Sequence, residues 1–272
     1  MQVTEESVSP STALEYLECN TKNRPIKQKH VDRLAEDMRE DRWNQDGAPI
    51  RFGKDGTLLD GQHRLLALVK AKKTIRFIVV RGLDKEAFTT IDTGSKRSTS
   101  DALHIKGEKN YSILAGALGV VVQYLKTGAL IRGASGSMPT TSELVETLGA
   151  APEIRLSVNH VVANKNSGAK SGGTSAMLMS PTLMAGIHYL FADKNRPLAD
   201  LWVTGMAKGF DSEANPSFSM LRERLIGNTM AKAKLPREYI AAICVKAWNS
   251  ERSGNHVKTL RYSDEEGFPN IR

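Results

Sequence analysis

The sequence predicts an α+β protein in two parts: a small mixed sheet with helices over residues 1–100, followed by an all-α part over residues 101–272. Two patterns predict it. Up to residue 100, short apolar and β-branched runs alternate with Asp-Gly turns and one amphipathic helix; from Asp101 onward, longer stretches carry apolar residues at helical spacing. Length supports the division, because 272 residues with 40% hydrophobic content can bury one large core or two ordinary ones.

Each element follows from its local pattern. Residues 29–42, KHVDRLAEDMREDR, set Val31, Leu34, Ala35 and Met38 on one face of a helix with charged residues on the other. APIRF at 48–52, the GKDG turn at 53–56 and the apolar residues of 57–59 read as a hairpin, since Asp-Gly between short apolar runs favours one. Trp43 is expected to pack the first helix onto that hairpin. A short helix over 65–69 and the β-branched strand TIRFIVV at 74–80 complete the first part. In the second part, helices are expected over 111–126, 141–148, 181–191, 198–206, 217–228 and 236–249, with Trp202 and Trp248 in the core. The Gly, Ser and Lys-rich run at 164–175 is expected to be a mobile loop, having too few apolar residues to offset its ordering entropy.

Charge and cysteine content narrow the class. A formal net charge of +8 attracts phosphate-rich or other acidic partners, and the excess is spread over both halves with no basic tail. Cys19 and Cys244 are far apart and form no CxxC pair, so neither a disulfide framework nor a structural zinc site is readable. His30, His104, His160, His188 and His256 lack ligand spacing and read as surface or satisfied core histidines. The polar start MQVTEESVSP does not read as a signal peptide, and no apolar run approaches the roughly 20 residues that span a bilayer. A cytoplasmic protein without membrane partners is expected.

The stretch LLDGQHRLLAL, residues 58–68, carries the chemistry. It sets Asp60, Gly61, Gln62, His63 and Arg64 between the end of a strand and the start of a helix. A glycine turn at a helix N-terminus directs backbone N–H groups and partial positive charge outward, which suits a phosphate. Arg64 adds a fork of donors matched to phosphate oxygens. His63 can donate to a phosphate or move a proton near neutral pH, and Asp60 can cap the helix or hold a Mg²⁺ ion accompanying a nucleotide. The plain alternative makes Asp60 an ordinary N-cap and Arg64 an exposed helix residue.

DGQHRLLA, together with Asn23-Arg24-Pro25 before the first helix, resembles the ParB and sulfiredoxin-like superfamily, in particular its branch with a DGQHR or DGHHR signature found in phage-type proteins. The likeness spans about residues 8–100 as an ordered series of Asn-Arg-Pro, helix, Pro-Ile strand, turn, DGQHR, helix and strand. It implies a ParB/sulfiredoxin-like N-terminal domain in which Gly61, His63 and Arg64 hold the phosphates of a nucleotide such as ATP or CTP with Mg²⁺, and Arg24 supports them. Gln62 departs from the pattern. Sulfiredoxins have a cysteine there, so thiol chemistry is not implied; partition proteins usually have a Glu associated with hydrolysis, whereas Gln62 can only orient a water. Glu36 and Asp37 on the preceding helix read as solvated helix charges.

A second cluster, IDTGSKRSTSD at 91–101, places Lys96 and Arg97 in a donor-rich loop suited to phosphates; alternatively it is a linker whose Ser100 or Asp101 caps the next helix. Three functions compete. The first is a nucleotide-dependent enzyme of phosphoryl transfer, NTP hydrolysis or phosphodiester cleavage, with Asp60 and His63 as catalytic groups, acting on a nucleic-acid-related substrate. The second is a non-catalytic module in which a nucleotide switches DNA binding. The third is a DGQHR protein serving DNA modification and binding DNA phosphates. A nucleotide and DNA are the expected partners, with a homodimer also open; Ser142–Leu156 has helix-turn-helix rhythm but its second helix holds a single Arg.

Overall fold

The structure, a computed structural model, describes all residues except 22, 24, 85–97, 131–137 and 166–177, and all described side chains except those of 165 and 264. The chain is α+β and divides into two compact units, Met1–Arg97 with Ser137–Glu143, and Ser98–Gly136 with Leu144–Arg272. Each has its own buried apolar cluster. No helix among the described residues is long and apolar enough to cross a membrane.

The first unit is built on a four-stranded sheet of order β1-β4-β2-β3, from Gln2–Val8 (β1), Ile50–Gly53 (β2), Leu58–Asp60 (β3) and Ile75–Leu83 (β4). β2 runs parallel to β4, and the other two pairs are antiparallel. Three helices accompany it: Pro10–Glu18 (α1), Gln28–Arg39 (α2) and Gln62–Ala71 (α3), with α3 packed against both others. α1 starts where Ser9 accepts from the Thr12 N–H at 3.2 Å and Pro10 takes the first turn, where its missing N–H costs nothing. α2 buries Val31, Ala35 and Met38, as its periodicity predicts. It also buries Asp37. Contrary to the solvated charge expected there, Asp37 accepts from Arg42 at 3.1 Å and from Thr140 at 2.9 Å, since a carboxylate leaves water only when donors replace it. Trp43 packs against the first unit's apolar cluster, its ring edge-on to Phe77 of β4 with centroids 5.9 Å apart.

β1 is an edge strand that no apolar pattern announced. It pairs antiparallel with β4 from Gln2 to Val8, and side chains add an ion pair: Arg81 on β4 grips both oxygens of Glu6 at 2.5 and 3.1 Å, and Tyr16 of α1 donates to Glu6 at 2.5 Å. The Arg81 guanidinium lies over the rings of Tyr16 and Phe52 at 5.5 and 5.3 Å. Hydrogen bonding from Arg81 holds the Glu6 carboxyl down from 4.5 to about 2, against the opposing effect of burial.

The described residues of the second unit form helices and one 3-10 turn, Asp264–Glu266: Thr99–Ile105 (α4), Tyr111–Thr127 (α5), the body of Thr141–Ala150 (α6), Ile154–Lys165 (α7), Pro181–Lys208 (α8), Pro216–Met230 (α9) and Arg237–Ser253 (α10). α4 begins with a capping box between Ser98 and Asp101, so Asp101 is the third residue and Ser98 the cap. α7 runs through Lys165; the rest of the glycine-rich run expected to be mobile lies outside the described residues.

The two helices predicted at 181–191 and 198–206 are the halves of α8, joined through a break at Asn195. Pro197 lacks the N–H that a continuous helix requires, and Asn195 caps the second half by accepting the Leu198 N–H at 3.1 Å. Behind the break sits the core: Phe191 stacks on Trp248 at 4.1 Å and meets Trp202 edge-on at 5.2 Å, all three rings fully buried. α5 and α8 approach closely because Gly186 has no side chain; a Cβ there would lie 2.5 Å from Val120.

Candidate functional site

The turn from β3 into α3 is set by Gly61. Its φ of +111° lies where side-chain-bearing residues are strained, and a Cβ would stand 2.5 Å from Cδ1 of Ile50. Gly61 itself is the N-cap of α3, in place of the cap expected of Asp60. The partial positive end of a ten-residue helix thus follows directly on a glycine.

Asp60 is engaged differently. Its Oδ2 accepts from Arg51, its cross-strand partner on β2, at 2.6 Å and from Arg64 at 3.0 Å. Arg64 is largely buried and turned inward, donating also to the Pro49 carbonyl at 2.8 Å and to the Ala48 carbonyl. The guanidinium therefore ties the strand entering β2 to the end of β3. This is neither the exposed helix residue nor the outward phosphate fork that the sequence alone suggests.

Gln62 and His63 are buried as well. Asn20 donates to Oε1 of Gln62 at 3.1 Å, and the backbone N–H of Lys27 donates to Nε2 of His63 at 3.1 Å. That second bond makes Nε2 the acceptor and so leaves the ring proton on Nδ1. The His30 ring lies 5.4 Å from that of His63. The same segment covers the edge of β3, since Leu58 donates to the Cys19 carbonyl at 2.9 Å and accepts from Asn23 at 2.7 Å. DGQHR thus works as a knot joining β2, β3, α3 and the stretch from Cys19 to Lys27.

Comparison with protein-family models, curated proteins and solved structures returned no match.

Among the sequence-derived site residues, Asp60, Gly61, Gln62, His63 and Arg64 are brought together at one turn, whereas Arg24, Lys96 and Arg97 lie outside the described residues. Mg²⁺ does not fit Asp60 as it stands. Two guanidiniums already occupy one carboxylate oxygen, and among the described residues no group of three metal-ligating side chains gathers there. Such a group does gather in the second unit, at His160, His188 and Asp200. Sequence spacing gave no sign of it, because the two histidines stand on different helices and a break in α8 returns Asp200 to them.

Proposed function

We propose that the first unit is a ParB/sulfiredoxin-like module that binds a phosphorylated ligand, a nucleotide or the backbone of DNA, at the N-terminal turn of α3. The observation that carries this reading is Gly61, held at positive φ against Ile50 and standing as the N-cap of a ten-residue helix. Backbone N–H groups at such a turn, reinforced by the helix dipole, are the donors a phosphate uses. The buried bonds of Gln62, His63 and Arg64 then act as supports that fix the turn, and the net charge of +8 favours the encounter. Arg24, Lys96 and Arg97 enter only through the sequence resemblance and the composition of their loop.

Binding is better supported than turnover. A general base needs a lone pair or a charge facing the substrate, yet Nε2 of His63 accepts a backbone N–H and Asp60 lies between two arginines. Gln62 carries no carboxylate. The non-catalytic module, in which nucleotide occupancy governs DNA binding, therefore precedes the phosphoryl-transfer and nuclease readings.

Calorimetric titration of ATP, CTP, GTP and duplex DNA into the full chain tests the proposal. Saturable binding of one of these ligands supports it, and a linear loss of log affinity with log salt would mark the DNA backbone as the ligand. Absence of binding tighter than about 1 mM for all four overturns it.

A further inference from the structure

We propose that His160, His188 and Asp200 form a binding site for a divalent transition-metal ion of the zinc class. His160 stands on α7, His188 on the first half of α8 and Asp200 on the second half. One ligand atom from each lies within 4.8 Å of the other two. Nε2 of His188 is 2.9 Å from Oδ1 of Asp200, and Nε2 of His160 is 4.0 Å from the same oxygen. Tetrahedral coordination with bonds of about 2.0–2.1 Å places ligand atoms roughly 3.4 Å apart, between these two distances, so small side-chain rotations close the site.

The break in α8 builds the cluster. In an unbroken helix the twelve residues from His188 to Asp200 would span about 18 Å along the axis, too far for any shared ligand. Instead the chain turns at Asn195, and Asp200 comes back to His188 while α7 brings His160 over it with the two imidazoles stacked at 5.3 Å. Two imidazoles and one carboxylate are a donor set that zinc-class ions favour over Mg²⁺ or Ca²⁺.

The surroundings fit an ion with one open position. His188 is fully buried, whereas His160 and Asp200 are partly exposed, so the cluster lies at the border between core and surface. Arg196 donates to both oxygens of Asp200, at 3.0 and 3.2 Å; with Oδ1 on the ion it keeps Oδ2 and orients the carboxylate. Nε2 of His160 donates to the Asp200 carbonyl at 3.1 Å, with Thr204 and Asn164 3.5 Å away, so coordination through Nε2 exchanges this hydrogen bond for a metal bond. The Nδ1 atom of His188 is buried with no hydrogen-bond partner. Its ring is held through Nε2, which donates to Asp200, and an ion on Nε2 replaces that hydrogen bond and leaves the ring proton on Nδ1.

The test is titration of Co²⁺, a visible-absorbing stand-in, into the chelator-treated full chain, followed by displacement with Zn²⁺. Wild type should bind one equivalent with the intense visible bands of a four-coordinate site, and Zn²⁺ should remove them. Affinity should fall about 100-fold in His160→Ala and in Asp200→Asn, both partly exposed positions whose folding is checked by circular dichroism, and should be unchanged in His104→Ala. Absence of a stoichiometric Co²⁺ complex in wild type, or equal affinity in folded His160→Ala, overturns the proposal.

Discussion

Arg64 donates to Asp60 at 3.0 Å across one turn of α3, and the same guanidinium reaches the carbonyls of Ala48 and Pro49. A residue that first looks like a ligand for phosphate is in place a brace for the segment that leads into β2. Arg64→Ala should therefore destabilise the first unit by about 2–3 kcal/mol, because it strands two carbonyls and half of the Asp60 pairing. Lysine should recover only part of this, having no fork to span three acceptors. Urea unfolding of the two variants measures both values, and a loss within 0.5 kcal/mol, roughly the range of ordinary surface substitutions, would contradict the bracing role.

Gly61→Ala should cost more than the same change at an ordinary turn, because the new Cβ meets Ile50 as well as the backbone strain. In an Ile50→Val background the nearest obstructing atom, Cδ1, is gone. The penalty for Gly61→Ala should then shrink toward the strain alone, about 1–2 kcal/mol. A double-mutant cycle by chemical denaturation reads the difference; equal penalties in the two backgrounds would remove Ile50 from the account.

The Glu6–Arg81 pair gives the first unit an acid-sensitive element. The folded carboxyl titrates at about 2, below its ordinary 4.5, so between those values the unfolded chain binds more protons and stability rises with pH. The contribution is complete above about pH 5 and is lost as the solution is acidified toward pH 2. Glu6→Gln should flatten this part of the stability profile measured by denaturation at a series of pH values. An unchanged slope would place the acid sensitivity elsewhere.

The two cysteines should report folding of the second unit. Cys244 is fully buried and its thiol is pushed far up by burial, whereas Cys19 is exposed. The native chain should take up one equivalent of a thiol reagent and the denatured chain two. Rapid labelling of both under native conditions would mean that α10 opens.

The helices were legible where a single face is apolar. Val31, Ala35 and Met38 mark α2 by spacing alone, and the apolar pattern gave separate helices at 181–191 and 198–206, on either side of the break at Asn195. β1 was not legible, since QVTEESV is mostly polar and its partner strand lies far along the chain, with Glu6 meeting Arg81 75 residues away. At the DGQHR turn the glycine and the strand-to-helix change could be read from local chemistry, but the inward direction of Arg64 depends on where residues 48–49 pass. His160, His188 and Asp200 show the same limit: spacing carries no sign of partners assembled by a helix break.

The most direct test of the phosphate-binding reading is a titration followed by the backbone amide resonances of ¹⁵N-labelled full chain, with ATP, CTP and duplex DNA added separately. The account predicts saturable shifts at the amides of Gln62 and His63 with at least one of these ligands. Shifts confined to the second unit, or none at the start of α3 at saturating ligand, would contradict it.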